Sequence, residues 1–212
     1  MSHKLNLRLY VVTDRAWLNG KQLEDDVEAA IRGGATIVQL REKDVSSREF
    51  FGTALKIKQV TDHYRIPLII NDRLDIALAV DAAGLHVGQS DLPPTIARRL
   101  LGPGKILGVS VAKQEEAVQA ERDGADYLGA GAVFPTGTKQ DADYVDYLEL
   151  QRITQAVKIP VVAIGGINET NTLQLKGSGI KGIAVVSAVF GKSDPGKAAA
   201  TMKRIALDVV AN

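Results

Sequence analysis

Short apolar runs, many of them β-branched, alternate along the chain with longer segments whose apolar positions recur at helical spacing. The strand-like runs are Arg8–Thr13, Thr36–Arg41, Pro67–Ile70, Gly84–Val87, Ile106–Ser110, Tyr127–Ala130, Pro160–Ile164 and Gly182–Val186. The helix-like segments between them are Gln22–Arg32, Ser47–His63, Leu74–Val80, Pro94–Leu101, Gln114–Asp123, Glu149–Val157, Glu169–Lys176 and Pro195–Val210. Within Ser47–His63, for example, Phe50, Phe51, Leu55, Ile57 and Val60 build an apolar face. Glycine-bearing breaks (GGAT, GPGK, DGAD, GSGIKG) fall where helices should stop.

This β-then-α order, repeated to the end, predicts an α/β fold with one parallel sheet covered by helices. Eight such units in 212 residues suit a single (β/α)8 TIM barrel spanning residues 1–212. An open doubly wound sheet is the alternative, but no Gly-x-Gly-x-x-Gly turn follows the first strand. The barrel places any active site at the C-terminal ends of the strands, so polar residues there call for an explanation.

Four groups of such residues stand out. The second strand runs into Gln39-Leu40-Arg41-Glu42-Lys43, where Gln39, Arg41 and Lys43 alternate and so share the inward face. A glutamine and an arginine at a barrel's inner rim are costly to desolvate unless an anion pairs with them. The third strand ends in Asn71-Asp72 and the fourth is followed by Asp91. On neighbouring strands, about 4.8 Å apart, these two carboxylates could share one hard cation such as Mg²⁺. The plainer reading makes each Asp a cap of the next helix. Ser110 ends the fifth strand, and Thr136, Gly137, Thr138 and Lys139 follow the sixth. Gly165-Gly166 follows the seventh strand, and Val186-Ser187 closes the eighth. Loops after the last two strands are the recurrent phosphate site of this barrel. His86, inside the fourth strand, reads as a packed, hydrogen-bonded histidine, and Trp17 as a cover for the barrel edge.

Two anion sites facing each other across one mouth suggest group transfer between two anionic small molecules. No nucleophile and no acid–base pair is evident, so the chemistry would rest on positioning and charge neutralisation. Composition narrows the rest. There are no cysteines, which excludes disulfides and thiol chemistry and fits a cytoplasmic protein. The formal net charge of +1 offers no pull towards nucleic acid or an anionic membrane. The N-terminal stretch lacks the apolar run of a signal peptide, and no segment has the length to span a bilayer. A homo-oligomer is compatible with all of this.

The stretches LYVVTDR, GGATIVQLREKD, IPLIINDRLDIALAVDAAGLHVGQSDLP, GADYLGAGAVFPTGTK, IPVVAIGGIN and GIAVVSAV resemble the thiamine phosphate synthase family, in order and over nearly the whole chain. The resemblance implies a transferase. It would join a hydroxymethylpyrimidine diphosphate to a hydroxyethylthiazole phosphate, releasing pyrophosphate with the help of Mg²⁺. By the same resemblance Gln39, Leu40, Arg41, Glu42, Lys43, Asn71, Ser110 and Lys139 would bind the diphosphate substrate, with Arg41, Lys43, Ser110 and Lys139 catalytic. Asp72 and Asp91 would hold the metal. Thr136, Gly137, Thr138, Gly166, Val186 and Ser187 would hold the thiazole phosphate. The chain departs from the family pattern at Ala112, where a histidine is frequent, and at Gln140 and Tyr147 in and after the sixth loop. Two other readings are an isomerase resembling the related thiazole tautomerases, which needs a proton-transferring residue where Ala112 stands, and a binder of thiamine precursors without turnover, which rests on the altered stretch after Gln140.

Overall fold

The computed structural model describes residues 5–18, 22–137 and 144–210. Eight strands, β1 (Leu9–Val12), β2 (Ile37–Leu40), β3 (Leu68–Asn71), β4 (Gly84–Val87), β5 (Ile106–Val111), β6 (Tyr127–Ala130), β7 (Val161–Ile164) and β8 (Gly182–Val185), pair in sequence order. All pairs are parallel, and β8 returns to β1, so the barrel is closed. Successive side chains alternate between the two faces of the barrel wall. One set, with Tyr10, Val12, Ile37, Ile69, Tyr127, Val162 and Ala184, fills the interior. The other, with Leu9, Val11, Val38, Leu40, Ile70 and Leu85, packs under the helices.

The helices are α1 (Leu23–Arg32), α2 (Ser47–His63), α3 (Leu74–Ala79), α4 (Pro94–Leu101), α5 (Gln114–Arg122), α6 (Tyr147–Ala156), α7 (Ser187–Phe190) and α8 (Pro195–Val210). The periodicity predicted α2, α4 and α8 to the residue, and most other ends to within one or two. Caps explain the larger shifts. Helix α6 starts at Tyr147, two residues before the predicted Glu149, because the Asp146 carboxylate accepts from the Glu149 amide at 2.8 Å. The helix predicted over Glu169–Lys176 is only a 3-10 turn over Thr172–Leu175. There Asn168 Oδ1 accepts from the Thr170 amide (2.9 Å) and Asn171 Oδ1 from the Asn168 amide (2.8 Å). These local side-chain bonds hold the backbone in turns that compete with a helix. The short α7 escaped the sequence pattern because four residues carry no periodicity.

Candidate active site

A cavity of about 430 Å³ opens at the C-terminal ends of the strands, within the usual size for a small-molecule site. Strand alternation decides what faces it. Gln39 points inward from β2, and the alternation persists past the strand so that Arg41 and Lys43 also line the cavity. Leu40 lies in the outer core instead. Glu42 turns away as well and is 8% exposed, with Oε2 accepting from Arg15 Nε at 2.5 Å and Oε1 buried without a hydrogen-bond partner. Burial pushes the Glu42 carboxyl above its usual range, against the opposing pull of Arg15. The run 39–43 thus divides into three inward side chains, as the alternation predicts, and two outward ones, those of Leu40 and Glu42.

Asn71 closes β3 opposite His86 of β4. The next residue, Asp72, takes a left-handed φ of 61° and donates its amide to the His86 carbonyl at 2.8 Å. Its Oδ2 lies 2.8 Å from Lys43 Nζ. Asp91 Oδ2 accepts from the Gly88 amide at 2.7 Å. Burial, and then the adjacent Asp72 carboxylate, hold the Asp91 carboxyl above its usual range. Neither aspartate caps a helix: Arg73 and Pro93 occupy the N-cap positions of α3 and α4. Arg41 sits 3.6 Å from Asp14 across its Nη1 and Oδ2.

The opposite wall comes from β6, β7 and β8. Thr136, Gly165, Gly166, Ile167, Val186 and Ser187 line it. Gly166 has φ 65°, and a Cβ there would stand 2.4 Å from the Pro135 carbonyl oxygen. The β7 loop therefore presses directly on the β6 loop, an approach that only glycine permits. Ser187 begins α7, the short extra helix that this fold often places beside its phosphate site. Gly137 is exposed and is not part of the cavity wall. Thr138, Lys139 and Gln140 lie outside the described residues.

The cavity floor holds two residues that the sequence reading missed, Tyr10 and Tyr127. Their hydroxyls are 2.7 Å apart. Gln39 Nε2 donates to Tyr10 Oη at 2.8 Å, and His86 bridges Tyr127 Oη (2.9 Å from Nδ1) and Ser110 Oγ (2.8 Å from Nε2). A polar-tipped ring at an inward position of a strand was the available signal. His86 is packed and hydrogen-bonded as expected. Trp17 does not line the cavity and packs against Gly191.

Comparison with known proteins fixes the lineage. Residues 9–189 match the family model for thiamine monophosphate synthase. The chain belongs to the thiamine monophosphate synthase family. A thiamine-phosphate synthase of Clostridium beijerinckii is 54% identical over 203 residues, 96% of this chain and 97% of the relative. One of Clostridium tetani is 57% identical over 194 residues, 92% and 93% of the two chains. The solved thiamine phosphate pyrophosphorylase of Pyrococcus furiosus superposes with a TM-score of 0.89 at 43% identity, covering 97% of this chain and 98% of its own. As a member of the thiamine monophosphate synthase family, the chain is an enzyme of the transferase class. Two departures from the family pattern fall on described residues. Ala112 lines the cavity, and its amide donates to Glu116 Oε2 at 2.7 Å. Tyr147 donates its hydroxyl to the Lys176 carbonyl at 2.8 Å, which ties the start of α6 to the turn before β8.

Proposed function

We propose that this enzyme joins 4-amino-2-methyl-5-hydroxymethylpyrimidine diphosphate to 4-methyl-5-(2-hydroxyethyl)thiazole phosphate, giving thiamine phosphate and pyrophosphate. One observation carries this reading. A single cavity has Arg41, Lys43, Asn71, Asp72 and Asp91 on one side and Thr136, Gly166 and Ser187 on the other, with apolar Val12, Val162 and Ile164 between. Two phosphorylated partners can enter such a space with a flat ring held between them. The pyrimidine C–O bond breaks, its electron pair leaving with the diphosphate. The thiazole nitrogen lone pair then forms the new C–N bond. Arg41 and Lys43 would neutralise charge growing on the diphosphate, and Ser110 would donate a hydrogen bond to it. Gln39 would hold the aminopyrimidine edge. The β7 and β8 loops would fix the thiazole phosphate, so that positioning supplies much of the rate. Lys139 is proposed to join Arg41 and Lys43 on the diphosphate, with Thr138 beside Thr136 on the thiazole partner.

The donor set at Asp72 and Asp91 fits Mg²⁺. The Asp72 carboxylate stands close enough to Asp91 to disfavour the charge on Asp91, and among the described residues no group of three or more His, Asp or Glu forms a full protein cage. Mg²⁺ commonly takes one or two carboxylates and fills its remaining positions with water and phosphate oxygens. When bound, the ion would neutralise part of the diphosphate charge. A cytoplasmic setting and small-molecule partners alone belong to the same proposal, in keeping with a net charge of +1. Among the described residues no helix is long and apolar enough to cross a membrane. Incubation with both substrates and Mg²⁺ should yield thiamine phosphate and pyrophosphate in equal amounts. Binding of both substrates without product would refute synthase activity and favour a non-catalytic binder.

A further inference from the structure

A continuous chain of side-chain hydrogen bonds crosses the barrel beneath the cavity, from Gln39 through Tyr10, Tyr127 and His86 to Ser110. All five members line the cavity, and the three middle ones, in its floor, are 1%, 0% and 7% exposed. Strand register accounts for the crossing. Gly108 of β5 lies directly between His86 of β4 and Tyr127 of β6. A Cβ at Gly108 would stand 2.5 Å from His86 Nδ1 and 2.2 Å from Tyr127 Cζ. The two rings meet because the strand between them has no side chain at that point.

The chain has a polarity. Each phenol owns one proton, and burial pushes both phenols well above their usual range, so both keep it. Tyr10 Oη accepts from the Gln39 amide and so passes its own proton to Tyr127. Tyr127 then donates to His86 Nδ1. A neutral imidazole that accepts at Nδ1 carries its proton on Nε2. That proton goes to Ser110 Oγ, which leaves the serine hydroxyl proton for the cavity. The opposite polarity would require Tyr10 to donate towards Gln39, whose facing atom is itself a donor.

We propose that Tyr10, Tyr127 and His86 are positioning residues that form a one-way hydrogen-bond wire. The wire fixes the Gln39 amide, leaving its Oε1 and second N–H for the pyrimidine edge. At the other end it holds the Ser110 hydroxyl as a donor to the leaving diphosphate. No proton needs to travel along it. This assignment rests on the proposed synthase reaction for its role, but its polarity does not.

The decisive measurement is the ¹⁵N spectrum of the full-length protein. The chain has three histidines, so a His86→Asn variant assigns the signal. The wild type should show His86 protonated at Nε2, with Nδ1 as acceptor. Gln39→Glu presents only acceptors to Tyr10 and should invert the wire, moving the proton to Nδ1. Tyr127→Phe should lower kcat by about tenfold with KM for the diphosphate substrate nearly unchanged, the scale of losing a supporting contact to a reacting group. Tyr10→Phe releases Gln39 and should raise KM more than it lowers kcat. A wild-type His86 protonated at Nδ1, a tautomer unmoved by Gln39→Glu, or a Tyr127→Phe enzyme with wild-type kcat would each overturn the wire. Absence of thiamine phosphate from the wild-type reaction would refute the proposed function instead, and the spectrum would still decide the polarity.

Discussion

Gly108→Ala is the substitution with the most to reveal, because it adds one methyl group between the two buried rings of the barrel floor. Its Cβ would lie 2.2 Å from Tyr127 Cζ, 2.3 Å from Tyr127 Oη and 2.5 Å from His86 Nδ1. Carbon atoms pack at about 3.5–4.0 Å, so the phenol must retreat by more than about 1 Å. Both rings are buried, and overpacking of this kind costs about 1–3 kcal/mol. The retreat also parts Tyr127 from His86, leaving a buried polar atom without its partner at a cost of about 1–3 kcal/mol. The sum, about 2–6 kcal/mol, is a large share of the roughly 5–15 kcal/mol that keeps a typical domain folded. Replacing a strand glycine returns about 0.5–1 kcal/mol of backbone entropy, which does not change the sign. Urea unfolding should therefore show a lower midpoint at unchanged slope, and product formation should fall with it. In a Tyr127→Leu background the nearer obstacle is gone and only His86 remains, so Gly108→Ala should cost at least about 1 kcal/mol less there. Stability within about 0.5 kcal/mol of wild type, with normal turnover, would refute the steric account.

Gly166→Ala places a side chain at φ 65° and 2.4 Å from the Pro135 oxygen; it should destabilise by at least about 1–2 kcal/mol and raise KM for the thiazole phosphate more than that for the diphosphate, as steady-state kinetics with each substrate varied would show. Asp91→Asn keeps an oxygen to accept from the Gly88 amide but removes a carboxylate, so the Mg²⁺ response of the rate should vanish while the thermal midpoint without metal holds or rises. The Glu42 carboxyl has a folded pKa above its ordinary 4.5, so its contribution to stability is complete below 4.5 and is lost as pH rises through the folded value; Glu42→Gln should flatten that part of a stability-against-pH curve, and an unchanged curve would remove burial as the cause. Arg41→Lys keeps the charge but loses the planar fork, and kcat/KM for the diphosphate should drop by about tenfold or more, the loss of about 1.4 kcal/mol or more.

The barrel was legible because its signal repeats: eight apolar runs of four to six residues, each followed by helical spacing, leave few topologies. The charged rim was legible for a related reason. Alternation puts Gln39, Arg41 and Lys43 on one face, and an arginine at an inner rim has few structural uses. What escaped were features set by contact between distant strands. Tyr10 and Tyr127 are 117 positions apart, and no local pattern pairs them. Alternation also turns Glu42 outward, but its ion pair depends on where the distant Arg15 lies. The turn after β7 failed for a local reason, the competition of Asn168 and Asn171 side chains with the helix.

The two layers of the site differ in what can be exchanged. At the rim, the Lys43–Asp72 pair has side chains 52% and 23% exposed, and exposed pairs contribute only about 0–1 kcal/mol. A diphosphate and a cation can take over those partners at little cost. The floor is the reverse case. Tyr10, Tyr127 and His86 have almost no access to water, so each broken bond there would leave a buried polar atom unpaired. The rim is thus built to trade partners during binding, and the floor to hold its geometry while that trade takes place. Loops such as the one after β6 can vary in sequence without loss of this division, because the rigid layer is anchored on strands β1, β2, β4, β5 and β6. A functional substitution at the floor should therefore disturb the positioning of both substrates' reacting ends, whereas one at the rim should weaken the substrate it faces.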